Sequence, residues 1–154
     1  MSDARQGGFT LLEMVCVIAL VAMLASVMLP FVPRDTSRAR LQAYALQAAS
    51  LLKADRNAAI RRGSDVSTLV DAPSRAIRSG ATAQLIRIPD DVRFDALLPH
   101  TCRRRAALST ISFFADGMSC GGTIALTRFD TAYEIRVNWL TGRIEIVSRP
   151  ALAN

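Results

Sequence analysis

One long apolar segment near the N-terminus constrains the fold more than any other feature of this sequence. Phe9 to Leu29 spans 21 residues, and Glu13 is the one charged residue within it. As a helix rising about 1.5 Å per residue, the segment would extend about 31 Å, close to the bilayer hydrocarbon thickness of about 30 Å. The sequence therefore predicts a transmembrane helix over residues 9–29, preceded by a short polar leader, residues 1–8.

Glu13 distinguishes among the kinds of segment that share this apolar character. A cleaved secretory signal has small residues at a cleavage site after its apolar run, whereas Pro30-Phe31-Val32-Pro33 follows here. A plain signal anchor is apolar throughout and leaves Glu13 unexplained. A carboxylate inside a membrane costs about 2.5 kcal/mol or more and usually has a partner, yet no basic residue lies one helical turn away. A suitable partner is the free amino group of a neighbouring subunit, created by a cut just before Phe9.

The string Gly8-Phe9-Thr10-Leu11-Leu12-Glu13-Met14-Val15 closely resembles the class III signal of type IV pilins and type II secretion pseudopilins. The resemblance implies that a prepilin peptidase cuts between Gly8 and Phe9 and that the new N-terminal Phe9 is methylated. It also implies that Glu13, the fifth mature residue, aids docking into a growing filament. Pro30 matches the proline that kinks the helix in this family.

Three further segments resemble the H-type minor pseudopilins of the type II secretion system. They are the helix end over residues 56–63, the segment 113–124 with its Asp-Gly and Gly-Gly pairs, and the closing hairpin over residues 137–144. Minor pilins of the FimT type share this domain. The segments therefore leave open a FimT-like type IV minor pilin, involved in pilus assembly or in DNA binding and uptake.

The remaining patterns predict an α+β, pilin-like fold. A long helical spine over residues 9–62 is expected to bend near Pro30, with Asp35, Thr36 and Ser37 as N-cap candidates and Gly63 just past its end. Strands are predicted over residues 65–70, 84–88, 111–115, 122–128, 132–138 and 143–148, with loops over 71–83 and 97–108. These strands form a β-rich globular domain, residues 63–154, with an antiparallel sheet or sandwich packed on the helix. Tyr133 and Trp139 are expected to pack in the strand core or in the closing hairpin.

Composition argues against an enzyme with ordinary acid–base machinery, but it does not by itself indicate what the protein does. Eighteen of the 19 basic residues are Arg, the net charge is +6, and His100 is the only histidine. The three cysteines have no metal-ligand spacing, so no metal or cofactor is expected. The letters around Ser119 match a nucleophile elbow, but no helix pattern follows them, and that context is required. His100 and Asp116 have no second titratable partner in motif spacing.

Two loop features carry the remaining site predictions. In the oxidising periplasm that the resemblance implies, Cys102 and Cys120 are candidates for a disulfide, with two free thiols as the alternative. Cys16 is expected to be a small packing residue in the apolar helix. Arg103, Arg104 and Arg105 form a candidate anion or DNA contact. A solvated loop on an Arg-rich protein is the favoured interpretation, and nucleic acid is not an expected partner.

The resemblance implies a minor pseudopilin of the type II secretion system, a structural component of the periplasmic pseudopilus used in protein export. It would be a single-pass inner-membrane protein with its C-terminal domain in the periplasm. Its expected partners are the prepilin peptidase and the major and other minor pseudopilins. Arginines are more numerous just after the apolar segment than before it, which by itself would favour the opposite orientation, but long translocated domains often escape this rule.

Overall fold

A computed structural model describes residues 10–28 and 36–150 of the chain. These residues belong to two compact units, Met1–Arg34 and Asp35–Asn154, and each unit is described by itself. The predicted leader, the cut between Gly8 and Phe9, and the bend at Pro30 lie outside the described residues.

The first unit contains one helix, α1 (Leu11–Met28). Thr10 caps its start, because the Thr10 side-chain oxygen accepts a hydrogen bond of 3.2 Å from the Glu13 backbone N–H. As far as the structure describes the helices, none combines the length and apolar character needed to cross a membrane.

The second unit begins with helix α2 (Arg38–Arg62). Ser37 is its N-cap, and the Ser37 hydroxyl oxygen accepts from the Arg40 backbone N–H at 3.3 Å. Gly63, at φ 63°, ends the helix in the left-handed conformation, which glycine adopts without steric cost. Both ends of α2 therefore follow from predicted cap residues, with Ser37 as the N-cap and Gly63 just past the last turn.

Ten strands follow α2 and form two four-stranded antiparallel sheets and a short ribbon. The first sheet has the order β3-β2-β1-β7, the second has the order β10-β9-β8-β4, and β5 pairs with β6. The strands are β1 (Val66–Asp71), β2 (Ala76–Arg78), β3 (Leu85–Arg87), β4 (Arg93–Leu97), β5 (Thr101–Cys102), β6 (Arg105–Ala106), β7 (Thr110–Phe113), β8 (Gly122–Arg128), β9 (Thr131–Val137) and β10 (Ile144–Pro150).

One core lies between α2 and the two sheets, since α2 contacts strands of both. Alternate residues of the long strands point into it, as the pairing of Ile124 with Ile135 shows. One face of α2 contributes apolar side chains to this core, and its buried residues include Leu41, Ala45, Ala48, Leu52 and Ala59. The predicted α+β, pilin-like fold class is confirmed.

The structure corrects the two predicted loops. Residues 71–83 contain β2, and residues 97–108 contain β5 and β6, while β4 was not predicted at all. These strands are two to five residues long, too short to show a clear alternation. Trp139 does not lie in the strand core: it follows the end of β9, in the turn of the hairpin, and is 62% exposed. Tyr133 is half-buried, as expected for a strand residue.

Candidate functional site

The apolar side chains of α1 are exposed. Leu11, Ile18 and Met23 are each at least two-thirds exposed, and every described side chain from Thr10 to Ser26 is exposed. An apolar helix surface of this size is unfavourable in water, and burial against lipid or against other protein helices would stabilise it. Glu13 lies in the first turn of this helix, where the helix dipole favours a carboxylate.

Thr10 and Glu13 also have the Thr-x-x-Glu spacing of a capping box, which the sequence analysis missed. The structure shows the first half of that motif, the Glu13 backbone N–H donating to the Thr10 side chain. The N-terminal signal therefore contains an N-cap for α1 in addition to the charged side chain of Glu13.

The structure joins Cys102 and Cys120 in a disulfide with Cα atoms 5.7 Å apart. The bond ties the β5–β6 ribbon to the segment before β8. Cys16 is free and exposed on α1.

Arg103, in the turn between β5 and β6, is held by contacts within the domain. Its guanidinium donates to the Asp116 carboxylate at 2.9 Å and stacks 3.6 Å from the centroid of the Phe114 ring. Arg104 and Arg105 are exposed neighbours. The three arginines are thus not equivalent, since Arg103 closes a structural contact beside the disulfide.

Arg56 joins the three segments that carry the family resemblance. It lies on α2, and its Nε donates to the Gly117 carbonyl oxygen at 3.1 Å, while Nη2 donates to the Thr141 carbonyl oxygen at 3.1 Å. One guanidinium fork therefore holds the Asp116-Gly117 turn and the Thr141-Gly142 turn against the helix.

Glycine is required where these turns meet. Gly142 has φ 61°, and a Cβ there would lie 2.1 Å from the Gly117 carbonyl oxygen and 2.7 Å from Arg56 Nε. Gly117, at φ 82°, would place a Cβ 3.1 Å from Arg56 Nη2. The Asp-Gly and Thr-Gly pairs therefore provide both a left-handed backbone and the space that Arg56 occupies.

The segment after Gly117 is held to the β9–β10 turn by further hydrogen bonds. The Ser119 backbone N–H donates to the Trp139 carbonyl oxygen, and the Ser119 hydroxyl donates to the Asn138 carbonyl oxygen, each at 3.0 Å. The same hydroxyl accepts from the Gly121 backbone N–H at 3.0 Å. The Ser119 hydroxyl is thus engaged by two backbone groups.

Asp55 is a buried carboxylate that the sequence analysis did not single out. It is fully buried on α2 and accepts hydrogen bonds from the Thr68 hydroxyl at 2.6 Å and the Ser79 hydroxyl at 2.5 Å. The backbone N–H groups of Gly80 and Ala81 donate to it at 3.0 Å and 3.2 Å. Four donors replace the water lost on burial, so Asp55 fixes the loop between β2 and β3 on the helix.

Asp91 fixes the segment that leads into the N-terminal end of α2. Its carboxylate accepts from the Thr36 backbone N–H at 2.7 Å and the Thr36 hydroxyl at 2.9 Å, and Arg128 pairs with it at 2.9 Å. The Thr36 backbone N–H is the largest influence lowering the pKa of Asp91 below its ordinary 3.8, with smaller contributions from the Thr36 hydroxyl and Arg128.

Asp130, in the β8–β9 turn, contacts the same end of α2. Arg38 donates to both of its carboxylate oxygens, at 2.7 Å and 2.6 Å. This hydrogen-bonded pairing is the main cause of a lowered pKa at Asp130.

The residues considered for chemistry do not come together in a reactive arrangement. Across residues 10–28 and 36–150, no group of three or more His, Cys, Asp or Glu side chains has the geometry of a metal site. His100 is exposed, and Asp116 is paired with Arg103.

Comparison with known proteins places these features in a family. Residues 3–29 match the model described as the prokaryotic N-terminal methylation motif. Over 138 residues the chain is 31% identical to "Type II secretion system protein H" of Xanthomonas campestris pv. campestris, covering 89% of this chain and 80% of that protein.

Two solved structures share the fold. The minor pseudopilin EpsH of Vibrio cholerae superimposes with a TM-score of 0.52 at 11% identity, covering 74% of this chain and 98% of EpsH. The type IV minor pilin FimU of Pseudomonas aeruginosa gives a TM-score of 0.52 at 18% identity, covering 73% of this chain and 91% of FimU.

A helix packed on antiparallel sheets, which follow an N-terminal methylation motif in the sequence, defines a pilin-like protein. At 31% identity over most of its length, the chain belongs to the type II secretion system protein H family. The H-type minor pseudopilin predicted from the sequence is thereby confirmed, and its known relatives in this family are structural pseudopilins rather than enzymes.

Proposed function

We propose that the chain is a membrane-anchored structural subunit of the periplasmic pseudopilus used in protein export. The observation that carries this proposal is the 31% identity to protein H over 89% of the chain. In this role the protein is a substrate of the prepilin peptidase and not a catalyst.

The N-terminal segment supports both anchoring and assembly. In the proposed sequence of events, residues 9–29 first hold the chain in the inner membrane, and the peptidase then cuts between Gly8 and Phe9 and methylates Phe9. The uncovered apolar side chains of α1 would afterwards be covered by the equivalent helices of the major and other minor pseudopilins.

Glu13 is proposed to pair with the free N-terminus of a neighbouring subunit. Glu13→Leu is expected to leave processing intact and to reduce incorporation into the pseudopilus, measured as the fraction of mature chain that co-purifies with the major pseudopilin. Thr10→Val is the matched control, because it removes the hydroxyl group that caps α1 and leaves the Glu13 carboxylate in place. Normal incorporation of Glu13→Leu, or an equal defect in Thr10→Val, would contradict the pairing.

An in-frame deletion tests the function as a whole. The expected result is periplasmic accumulation of normally secreted enzymes, with twitching and DNA uptake intact, and restoration by the wild-type chain. Normal secretion with lost transformation would instead favour the FimT-like type IV minor pilin, for which the fold shared with FimU and the exposed Arg104 and Arg105 are the supporting observations.

A further inference from the structure

The β9–β10 turn carries two large apolar side chains that the domain does not cover. Trp139 is 62% exposed and Leu140 is 54% exposed. Ile60 is also exposed and lies beside Gly117, in the region where Arg56 joins the helix to this turn. One exposed apolar residue is ordinary on a protein surface, but a group of them on neighbouring segments indicates an interaction surface.

The backbone beneath these side chains is held rigidly. The Asn138 side-chain oxygen accepts from the backbone N–H groups of Leu140 at 2.9 Å and Thr141 at 3.0 Å. The Trp139 carbonyl oxygen is bound by the Ser119 N–H, and a Cβ on Gly121 would lie 3.2 Å from the Trp139 Cβ. A fixed turn loses little entropy when its aromatic side chain is covered, which is the property of an interface anchor.

The charges around the β9–β10 turn indicate the sign of the charge on a surface that it would bind. Arg136 and Arg143 pair with Glu134 and Glu145, at 2.5 Å and 2.9 Å, so their charges cancel. Arg56 binds only carbonyl oxygens among the described residues. Lys53 takes part in none of the ion pairs between described residues. Lys53 and Arg56 line a groove of about 430 Å³ next to Gly142, together with Arg143 and Glu145. The margin of the turn is therefore positive.

We propose that Trp139 and Leu140 bind an acidic subunit that is not a second copy of this chain. The binding surface of that subunit is an apolar pocket surrounded by carboxylates. A second copy of this chain would bring the same positive margin and a net charge of +6, so like-charge repulsion disfavours it. The proposal rests on the filament role proposed above, because a neighbouring pseudopilin of another kind is the subunit that assembly would hold against this turn.

In-cell photo-cross-linking of the full chain tests the anchor. The cross-linking amino acid p-benzoylphenylalanine replaces Trp139, and each other pseudopilin of the system carries an epitope tag. The expected result is an adduct with one tagged pseudopilin, at several times the yield obtained when the same amino acid replaces Leu97. Leu97 is the matched control because it is 78% exposed on β4 and lies outside the turn.

Charge variants test the chemistry of the partner. Lys53→Glu is expected to lower the adduct yield about fivefold, whereas Lys53→Arg keeps it, since the attraction depends on the sign of one marginal charge. Adducts formed only between two copies of this chain, equal yields from positions 97 and 139, or no effect of Lys53→Glu would each overturn the proposal.

A secretion assay distinguishes failure of this inference from failure of the proposed function. Trp139→Ala is expected to reduce enzyme release in the deletion strain, and Trp139→Phe is expected to restore most of it. If the deletion itself does not impair secretion, the proposed function fails. If the wild-type chain restores secretion but position 139 gives no adduct with another pseudopilin, the anchor alone is wrong.

Discussion

The contact between the two glycine turns predicts a large difference between two similar substitutions. Gly63 and Gly142 share nearly the same backbone conformation, with φ values of 63° and 61°. A Cβ on Gly63 would meet nothing within 4 Å, whereas one on Gly142 would lie 2.1 Å from the Gly117 carbonyl oxygen. Gly63→Ala therefore measures the cost of the left-handed conformation alone, about 1 kcal/mol.

Gly142→Ala adds a steric clash to that conformational cost. Because carbon atoms approach other heavy atoms to about 3.5 Å, the two turns must move apart by about 1 Å or more. That movement breaks the hydrogen bonds from Arg56 to the Gly117 and Thr141 carbonyl oxygens, each 3.1 Å long. Losing a hydrogen bond at a part-buried or exposed site costs about 1 kcal/mol, so two lost bonds and the conformational cost together amount to about 3 kcal/mol.

Thermal unfolding of the detergent-solubilised chain, followed by circular dichroism of the β domain, checks this difference. A loss of 1 kcal/mol lowers the Tm of a domain of this size by about 4 °C. The expected decrease is thus about 4 °C for Gly63→Ala and about 12 °C for Gly142→Ala. An equal or smaller decrease for Gly142→Ala would refute the reasoning that the close approach requires glycine.

Three further predictions concern processing, pH and the disulfide. Gly8→Val is expected to block cleavage, and a product of mature size on an immunoblot would contradict the cut site. The pKa of Asp91 is lowered in the fold, so its contribution to stability is complete above the ordinary pKa of 3.8 and is lost progressively as pH falls through the folded pKa. Asp91→Asn should flatten this acid dependence of the denaturant midpoint, and an unchanged profile would oppose it. Cys102→Ser, or reduction of the wild type, should lower unfolding free energy by about 3 kcal/mol, and no change in the midpoint would show that the bond contributes nothing.

The N-terminal signal and the closing hairpin could be predicted because their determinants are local. Gly8 to Glu13 is a contiguous string, and Thr141-Gly142 lies between two alternating segments. Gly63 likewise follows directly from the end of a helical pattern. Each of these features depends on residues within a few positions of one another.

The contacts that organise the domain could not be predicted in this way because their partners are distant in sequence. The resemblance pointed separately to residues 56–63, 113–124 and 137–144, but nothing in the sequence showed that Arg56 binds the carbonyl groups of both turns. Asp55 interrupts an otherwise apolar helical face, and its four donors lie 13 to 26 residues away. Trp139 fits the strand alternation, yet β9 ends at Val137.

The acceptors that Arg56 binds have a consequence for how the domain responds to salt. Arg56 binds two neutral carbonyl oxygens rather than a carboxylate, whereas the pairs Arg93–Asp95 and Arg143–Glu145 are exposed ion pairs. Added salt screens the exposed pairs but has little effect on hydrogen bonds to neutral groups. The junction of helix and turns is therefore expected to be less sensitive to ionic strength than the exposed ion pairs are, which would suit the periplasmic location proposed above.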